Sequence, residues 1–251
     1  IPITLDWDSK RDESGKLTTN INAKATEVNA TDINRLGYPV DAYFSGSFAA
    51  ELDVKTGTGG IVDVLVSTDL GKSGLSIAPV HWNQPPGVEG TASAKINISK
   101  TKQWDIRAFR IEAGTLSANG EADYDPLSSV LTIGLDSVSL GQTSLMGLDV
   151  TFEPEQGTQI SLKGGQLDLG PVLEPDSDQD KKDSTGEVST ATPMALRLNI
   201  DSLDKVLFGE DRFLTDVSAV LEHGNDGWQS IQISGHNPLT VEDNKLNLSK
   251  T

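Results

Sequence analysis

Apolar residues recur at every second position through most of this chain. That period belongs to a strand, whose successive side chains point to opposite faces of a sheet. It runs through Ile3, Leu5, Trp7; Val40, Ala42, Phe44, Gly46, Phe48, Ala50, Leu52, Val54; and Val62, Val64, Val66, Thr68, Leu70. It returns at Val88, Gly90, Ala92, Ala94, Ile96, Ile98; at Met146, Leu148, Val150, Phe152; at Met194, Leu196, Leu198, Ile200; and at Leu246, Leu248. The spacing predicts an all-β chain of antiparallel strands, greasy on one face and wet on the other. With hydrophobic residues at 36% of 251, this suits an elongated one-sided sheet better than a thick two-layer core. One helical turn is expected at TDINRLGYP, near 31–37. There Thr31 or Asp32 caps, Ile33 and Leu36 share a face, and Gly37 and Pro39 end the turn.

The stretch RIEAGTLSANGEADYD, Arg110 to Asp125, fixes how neighbouring strands should meet. Asn119-Gly120 is a strong hairpin signal, but a turn there would set Ala118 against Glu121 and Leu116 against Asp123. Turning at Ala113-Gly114 instead pairs Ile111 with Leu116, Phe109 with Ala118 and Arg110 with Ser117, so like meets like. The strand then passes straight through Gly120, which becomes a bend or bulge, and the next turn falls at Asp125-Pro126. A loop from Asp125 to Ser128 would lay Leu131, Ile133 and Leu135 against Ala122, Gly120 and Ala118. Three strands thus form a meander with one apolar side.

The segment Glu174 to Pro193 has Val188 as its one aliphatic residue. It cannot offset its ordering entropy by burial, so 174–193 is expected to be a flexible acidic loop between strands. Within it Asp176, Asp178, Asp180 and Glu187 stand at four positions of a calcium-binding loop, but Lys181 occupies the place that needs Gly, and no metal is expected. An internal repeat relates 131–164 to 196–235. LTIGLDSVSLG recurs as LRLNIDSLDKVLFG, offset by 65 residues at Leu131/Leu196 and by 71 at Gly164/Gly235.

Several function classes are disfavoured. A net charge of −17, from 37 acidic and 20 basic residues, repels nucleic acid and anionic lipid surfaces at long range. There is no Cys, hence no thiolate metal site, and redox compartment is not marked. His81, His223 and His236 lie in or beside expected turns without a metal-ligand spacing. No Gly-x-Ser-x-Gly elbow is present, and TGTGG at Thr56 to Gly60 reads as a hairpin turn rather than a phosphate loop. No cofactor and no catalysis are therefore expected. Asn29, Asn97 and Asn247 begin formal glycosylation sequons that arise by chance. Trp82 beside Pro85, Pro86 and Gly87 reads as an anchor for a strand end, with a carbohydrate platform as the alternative. The chain opens at Ile1 without Met or a signal peptide and carries no apolar run of membrane-spanning length. It is expected to be a piece of a longer protein.

In combination, RAFRIEAGTLSANGEADYD, SLKGGQLDLGPVLEP and IDSLDKVLFG resemble the AsmA-like proteins of Gram-negative envelopes, in particular the YhdP-like members. HWNQPPG, His81 to Gly87, is similar to that family's Trp-x-Lys-Pro-x-Gly turn, with Gln84 where Lys is usual. The resemblance spans roughly Gly37 to Gly235. It implies a strongly twisted sheet curled into an open, gutter-like apolar groove along residues 1–251. It also implies an inner-membrane anchor outside this chain, a periplasmic location, and a part in moving phospholipid toward the outer membrane.

On that basis Phe44, Phe48, Leu52, Phe109, Ile111, Leu116, Ala118, Leu131, Ile133, Leu135, Val150 and Phe152 are expected to line a lipid groove. The expected partners are phospholipid acyl chains, the rest of its own chain, and inner- and outer-membrane proteins. A structural or carbohydrate-binding β-module is the competing reading, weakened by an aromatic content of 5%.

Overall fold

A computed structural model of the chain describes residues 2–11, 13, 15–35, 40–57, 62–78, 81–101, 103–154, 156–173, 195–209, 212–224, 227–238 and 243–249. The acidic loop 174–193, with Asp176, Asp178, Asp180 and Glu187, lies outside them, as do Gly37 and Pro39. The fold is all-β, with two short helices, and the chain divides into two compact units, Ile1–Gly141 and Gln142–Thr251.

The first unit is an open sheet in the order β1 (Ile3–Arg11), β2 (Leu17–Asn29), β3 (Phe44–Thr56), β4 (Val62–Asp69), β7 (Gly90–Ile98), β8 (Trp104–Ala113), β9 (Leu116–Asp125), β10 (Val130–Leu140), each antiparallel to its neighbour. Two further strands, β5 (Ser73–Ile77) and β6 (Trp82–Gln84), form an arm between β4 and β7. The arm is closed at its base by Leu70 N–H donating to Gly90 O (2.8 Å) and Gly87 N–H donating to Gly71 O (2.8 Å). β5 pairs with Phe44–Gly46, where Gly46 adopts φ +77°. A Cβ there would sit 2.5 Å from the Lys72 carbonyl oxygen, so the chain bends at a position open only to glycine. The bend brings the Phe44 and Phe48 rings to 5.5 Å, edge to face.

The short helix α1 spans Ala30–Arg35. Its cap is Asn29 rather than Thr31 or Asp32. Asn29 Oδ1 accepts the Asp32 N–H (3.0 Å) and Asp32 Oδ2 accepts the Asn29 N–H (3.2 Å), a reciprocal capping box with the acid at the third helical position.

The β8–β9 hairpin keeps the expected faces but moves the expected turn by one residue. Ile111 faces Ala118, Phe109 faces Gly120, Arg110 faces Asn119 and Ala113 faces Leu116. The two-residue turn is Gly114-Thr115, because Gly114 supplies the left-handed φ of +55° that its first position needs. Each partner shifts by two residues, which preserves the side of the sheet. The same correction applies one hairpin later, where Leu131, Ile133 and Leu135 face Tyr124, Ala122 and Gly120. That turn spans residues 126–129, held by the Asp125 carboxylate, which accepts the Leu127 N–H (3.0 Å) and the Ser128 hydroxyl (2.8 Å).

Gly120 is the bulge point. The ladders on both sides shift register there, between Ile106 and Phe109 on β8 and between Leu135 and Ser137 on β10. A Cβ on Gly120 would lie 2.0 Å from the Gly134 carbonyl oxygen. Asn119 clamps the extra residue, donating to Asp136 Oδ2 (3.3 Å) and accepting from Ser137 Oγ. The Asn-Gly pair thus serves a bulge and not a turn.

The second unit comprises β11 (Thr143–Glu153), β12 (Gly157–Asp168), a four-residue helix α2 (Gly170–Leu173), β13 (Leu196–Leu207), β14 (Phe213–Gly224), β15 (Gly227–His236) and β16 (Asp243–Ser249), paired in chain order. Here the expectation of a wholly antiparallel meander is corrected: β12 and β13 run parallel, with Ile160 facing Leu198 and Leu162 facing Ile200. A parallel pair needs a crossover of about a dozen residues or more, and the stretch from Asp168 to Leu196 supplies it. The interior of this unit centres on Leu203, which is fully buried, with Val206, Leu207, Val217, Ile200 and Leu162 also buried.

The repeat falls on strand triplets, β10, β11, β12 and β13, β14, β15. Its first strand carries a register shift at the same place in both copies, Leu135-Asp136-Ser137 and Ile200-Asp201-Ser202.

Candidate functional site

Residues directly opposite one another in an antiparallel ladder share a face, so the registers sort the first unit's side chains across eight strands. One row runs Trp7, Ile21, Val54, Val64, Ile96, Ile106, Ala122, Ile133; the next runs Leu5, Ala23, Leu52, Val66, Ala94, Phe109, Gly120, Leu135. A third runs Ile3, Ala25, Ala50, Thr68, Ala92, Ile111, Ala118, Val138. Thr68 is the one polar side chain among the three rows.

The reverse face reads the other way. A row there is Thr4, Lys24, Glu51, Ser67, Ser93, Arg110, Asn119, Ser137. It is laced by cross-strand bonds: Lys24 Nζ to Glu51 (2.7 Å), Asn22 to Asp53 (2.6 Å) and Asn97 to Asp63 (2.8 Å). The Glu51 carboxylate holds the Lys24 ammonium above the usual lysine range. Two donors, the Leu127 N–H and the Ser128 hydroxyl, hold Asp125 below the usual carboxylate range.

Ladder neighbours pack together in this unit, as do the strands of the arm and α1 against β2 and β3. The small residues Ala25, Ala50, Ala118 and Ala122 are buried beneath longer neighbours, whereas Ile3, Leu5 and Trp7 on the edge strand are 59%, 60% and 68% exposed.

Of the residues expected to line a groove, Phe48, Leu52, Phe109, Ile111, Leu116, Ala118, Leu131, Ile133 and Leu135 fall on this one face. Phe44 joins them through its contact with Phe48. Val150 and Phe152 belong to the second unit, where Val150 shares a face with Ile160, Leu198, Leu221 and Ile231, and Phe152 with Thr158, Leu196 and His223. Strand β2 was absent from the alternating runs. Its apolar residues Ile21, Ala23 and Ala25 are sparse, and a register shift between Ala25 and Val28 breaks their period. The stacked pair Trp104–Tyr124, with centroids 5.6 Å apart, also lies on the apolar face, at the ends of its strands.

Trp82 anchors the arm: its Nε1–H donates to Thr115 Oγ1 (3.0 Å). Gln84 is buried and donates to Val88 O (3.4 Å). The His223 ring meets Trp228 edge to face at 5.0 Å. No cluster of three or more His, Asp or Glu suited to a metal occurs among the described residues, and no helix among them is long and apolar enough to cross a membrane. No family model, curated protein or solved structure matches the chain.

Proposed function

We propose that this chain is a non-catalytic segment of a periplasm-spanning lipid-transfer bridge. Its apolar face shields phospholipid acyl chains on their way between inner and outer membranes. The observation that supports this most is the face itself: three apolar rows continue over eight strands, and on the edge strand their side chains Ile3, Leu5 and Trp7 are exposed. A monomeric soluble surface rarely carries so extended an apolar patch without a ligand or partner for it. A lipid tail fits the chemistry, since each methylene removed from water contributes about 0.8 kcal/mol and asks for no polar partner. The polar reverse face suits an aqueous compartment. The resemblance to the AsmA-like family adds the periplasm, an anchor outside this chain, and partners at both membranes.

Native mass spectrometry of the intact chain after incubation with phosphatidylethanolamine vesicles tests the reading. Phospholipid adducts are expected on the wild type and should be depleted at least fivefold in Ala118→Arg, which puts a cation on the third row between Ile111 and Val138. Absence of adducts on a folded wild type, or retention of oligosaccharide in their place, would overturn it in favour of a carbohydrate-binding β-module.

A further inference from the structure

We propose that the first unit touches a zwitterionic lipid bilayer at one end of its strands, with Leu127 on the β9–β10 turn as the side chain that enters the surface. The proposal rests on the acyl-chain reading above for its purpose, and adds the place where lipid would enter. The two ends of the strands are built differently. At one end stand α1, between β2 and β3, and the arm, whose Trp82 reaches the β8–β9 turn. At the other, short connections join the strands, residues 12–16, 57–61, 99–103 and 126–129.

Apolar side chains run out to that second end. Beyond the row that holds Val64, Ile96, Ile106, Ala122 and Ile133 lies a last one of Val62, Ile98, Trp104, Tyr124 and Leu131, on the same face. Trp104 and Tyr124 stack there with centroids 5.6 Å apart. Such rings are apolar in the body and carry a polar N–H or O–H, which is why they collect where hydrocarbon meets water. Just past Tyr124 the chain turns, and Leu127 on that turn is 91% exposed, more than any other large hydrophobic residue described. A lone exposed leucine is ordinary; this one sits on a pinned turn at the end of an apolar row. The Asp125 carboxylate accepts the Leu127 N–H (3.0 Å) and the Ser128 hydroxyl (2.8 Å), so the leucine is already presented and contact need not order the loop.

Charge selects the kind of surface. A chain of net charge −17 is repelled by an anionic bilayer. The connections on either side of the aromatic pair, 99–103 and 126–129, contain two lysines and no acid in sequence, and Lys100 is exposed. Asp125 is committed to its own turn. Asp105 and Asp123 face one another on the polar side, where Arg107 lies 3.2 Å from Asp105. A phosphocholine or phosphoethanolamine surface has no net charge to oppose the approach and offers phosphates to a lysine such as Lys100. Interfacial binding then scales with the apolar area inserted, and from the last row an acyl chain meets the next without a polar break between Val62 and Val64 or between Tyr124 and Ala122.

The chain has no Cys, so Leu127→Cys and Ser117→Cys each accept one nitrobenzoxadiazole label. With phosphatidylcholine vesicles, emission at 127 is expected to rise at least twofold and emission at 117, on the polar face, to stay unchanged. Burial of a leucine is worth about a factor of ten or more, so vesicle flotation should weaken by about that much in Leu127→Asp. Leu65→Asp, whose leucine is 44% exposed on the polar face, should float as the wild type does. Dihexanoylphosphatidylcholine titrated below its micelle concentration should bind Leu127→Asp as tightly as the wild type, because the apolar rows are intact. Unchanged emission at 127, undiminished flotation of Leu127→Asp, or loss of the dispersed lipid in that variant would overturn the contact. Dispersed lipid bound without any vesicle response would defeat the contact alone, whereas vesicle contact without binding of dispersed lipid would defeat the acyl-chain reading and leave the contact standing.

Discussion

Replacing Gly120 by Ala should unfold the chain far more readily than a one-carbon change suggests. The added Cβ would lie 2.0 Å from the Gly134 carbonyl oxygen and 2.9 Å from the Leu135 Cα, both backbone atoms, against 3.4 Å or more for ordinary contact. No rotamer change relieves that collision. Strands in a ladder are only about 4.8 Å apart, so the β9–β10 pair must separate by a large fraction of its spacing. Losing two flanking hydrogen bonds costs about 1 kcal/mol each, and overpacking strain adds about 1–3 kcal/mol. The sum, about 3–5 kcal/mol, is a large share of the roughly 5–15 kcal/mol available to a domain. Gly164→Ala is the control: nothing lies within 4 Å of its added Cβ, and it too sits in a strand. Removing the backbone freedom of glycine there should stabilise by about 0.5 kcal/mol. Urea unfolding followed by circular dichroism reads both. A Gly120→Ala midpoint within 0.5 kcal/mol of wild type would refute the claim that Gly120 is required by the bulge.

Three further outcomes follow from the same geometry. Ala118→Arg should destabilise by about 1–3 kcal/mol, because Ala118 is buried between Ile111 and Val138, while Ser117→Arg, facing Glu112 on the polar side, should be neutral in the same urea assay. Leu203→Ala removes a fully buried side chain and should cost about 2–5 kcal/mol in thermal or urea unfolding. Lys24 and Lys163 are held above their ordinary value of 10.5 by bonds to Glu51 and Asp149, so the contribution of those pairs is fully present below that pH and lost as pH rises through the raised values. The unfolding midpoints of wild type and Glu51→Gln should differ by a constant amount at neutral pH and converge above pH 10.5; a difference that persists there would contradict the pairing.

Much of this could be read from the residues because a period of two is forgiving. Placing the β8–β9 turn at Ala113-Gly114 misassigned each partner by two residues and still put Phe109, Ile111 and Ala118 on one side. The choice against a turn at Asn119-Gly120 rested on the same alternation. Features that depend on distant chain or on single bonds were not legible. The parallel β12–β13 pair follows from a long connection rather than from any pattern within the strands. Strand β2 hid behind Thr and Asn residues and its own register shift, and the cap of α1 lies two residues before the motif that suggested the helix. The cavity bordered by Leu173, Phe208, Phe213, Leu214 and Pro238 gave no signal, since α2 and the residues at or flanking the ends of β13, β14 and β15 meet only in the fold.

The central claim concerns which face meets lipid, and adjacent residues on β4 test it most directly. Val66 lies on the apolar face between Leu52 and Ala94, whereas Leu65, 44% exposed, lies on the polar face between Asp53 and Lys95. Both are aliphatic, so hydrophobicity of the position alone cannot separate them. With a photo-crosslinking residue at each position in cells expressing the protein, phospholipid adducts are expected at 66 in at least tenfold excess over 65. Equal labelling at the two positions, or none at either with the fold intact, would contradict the account.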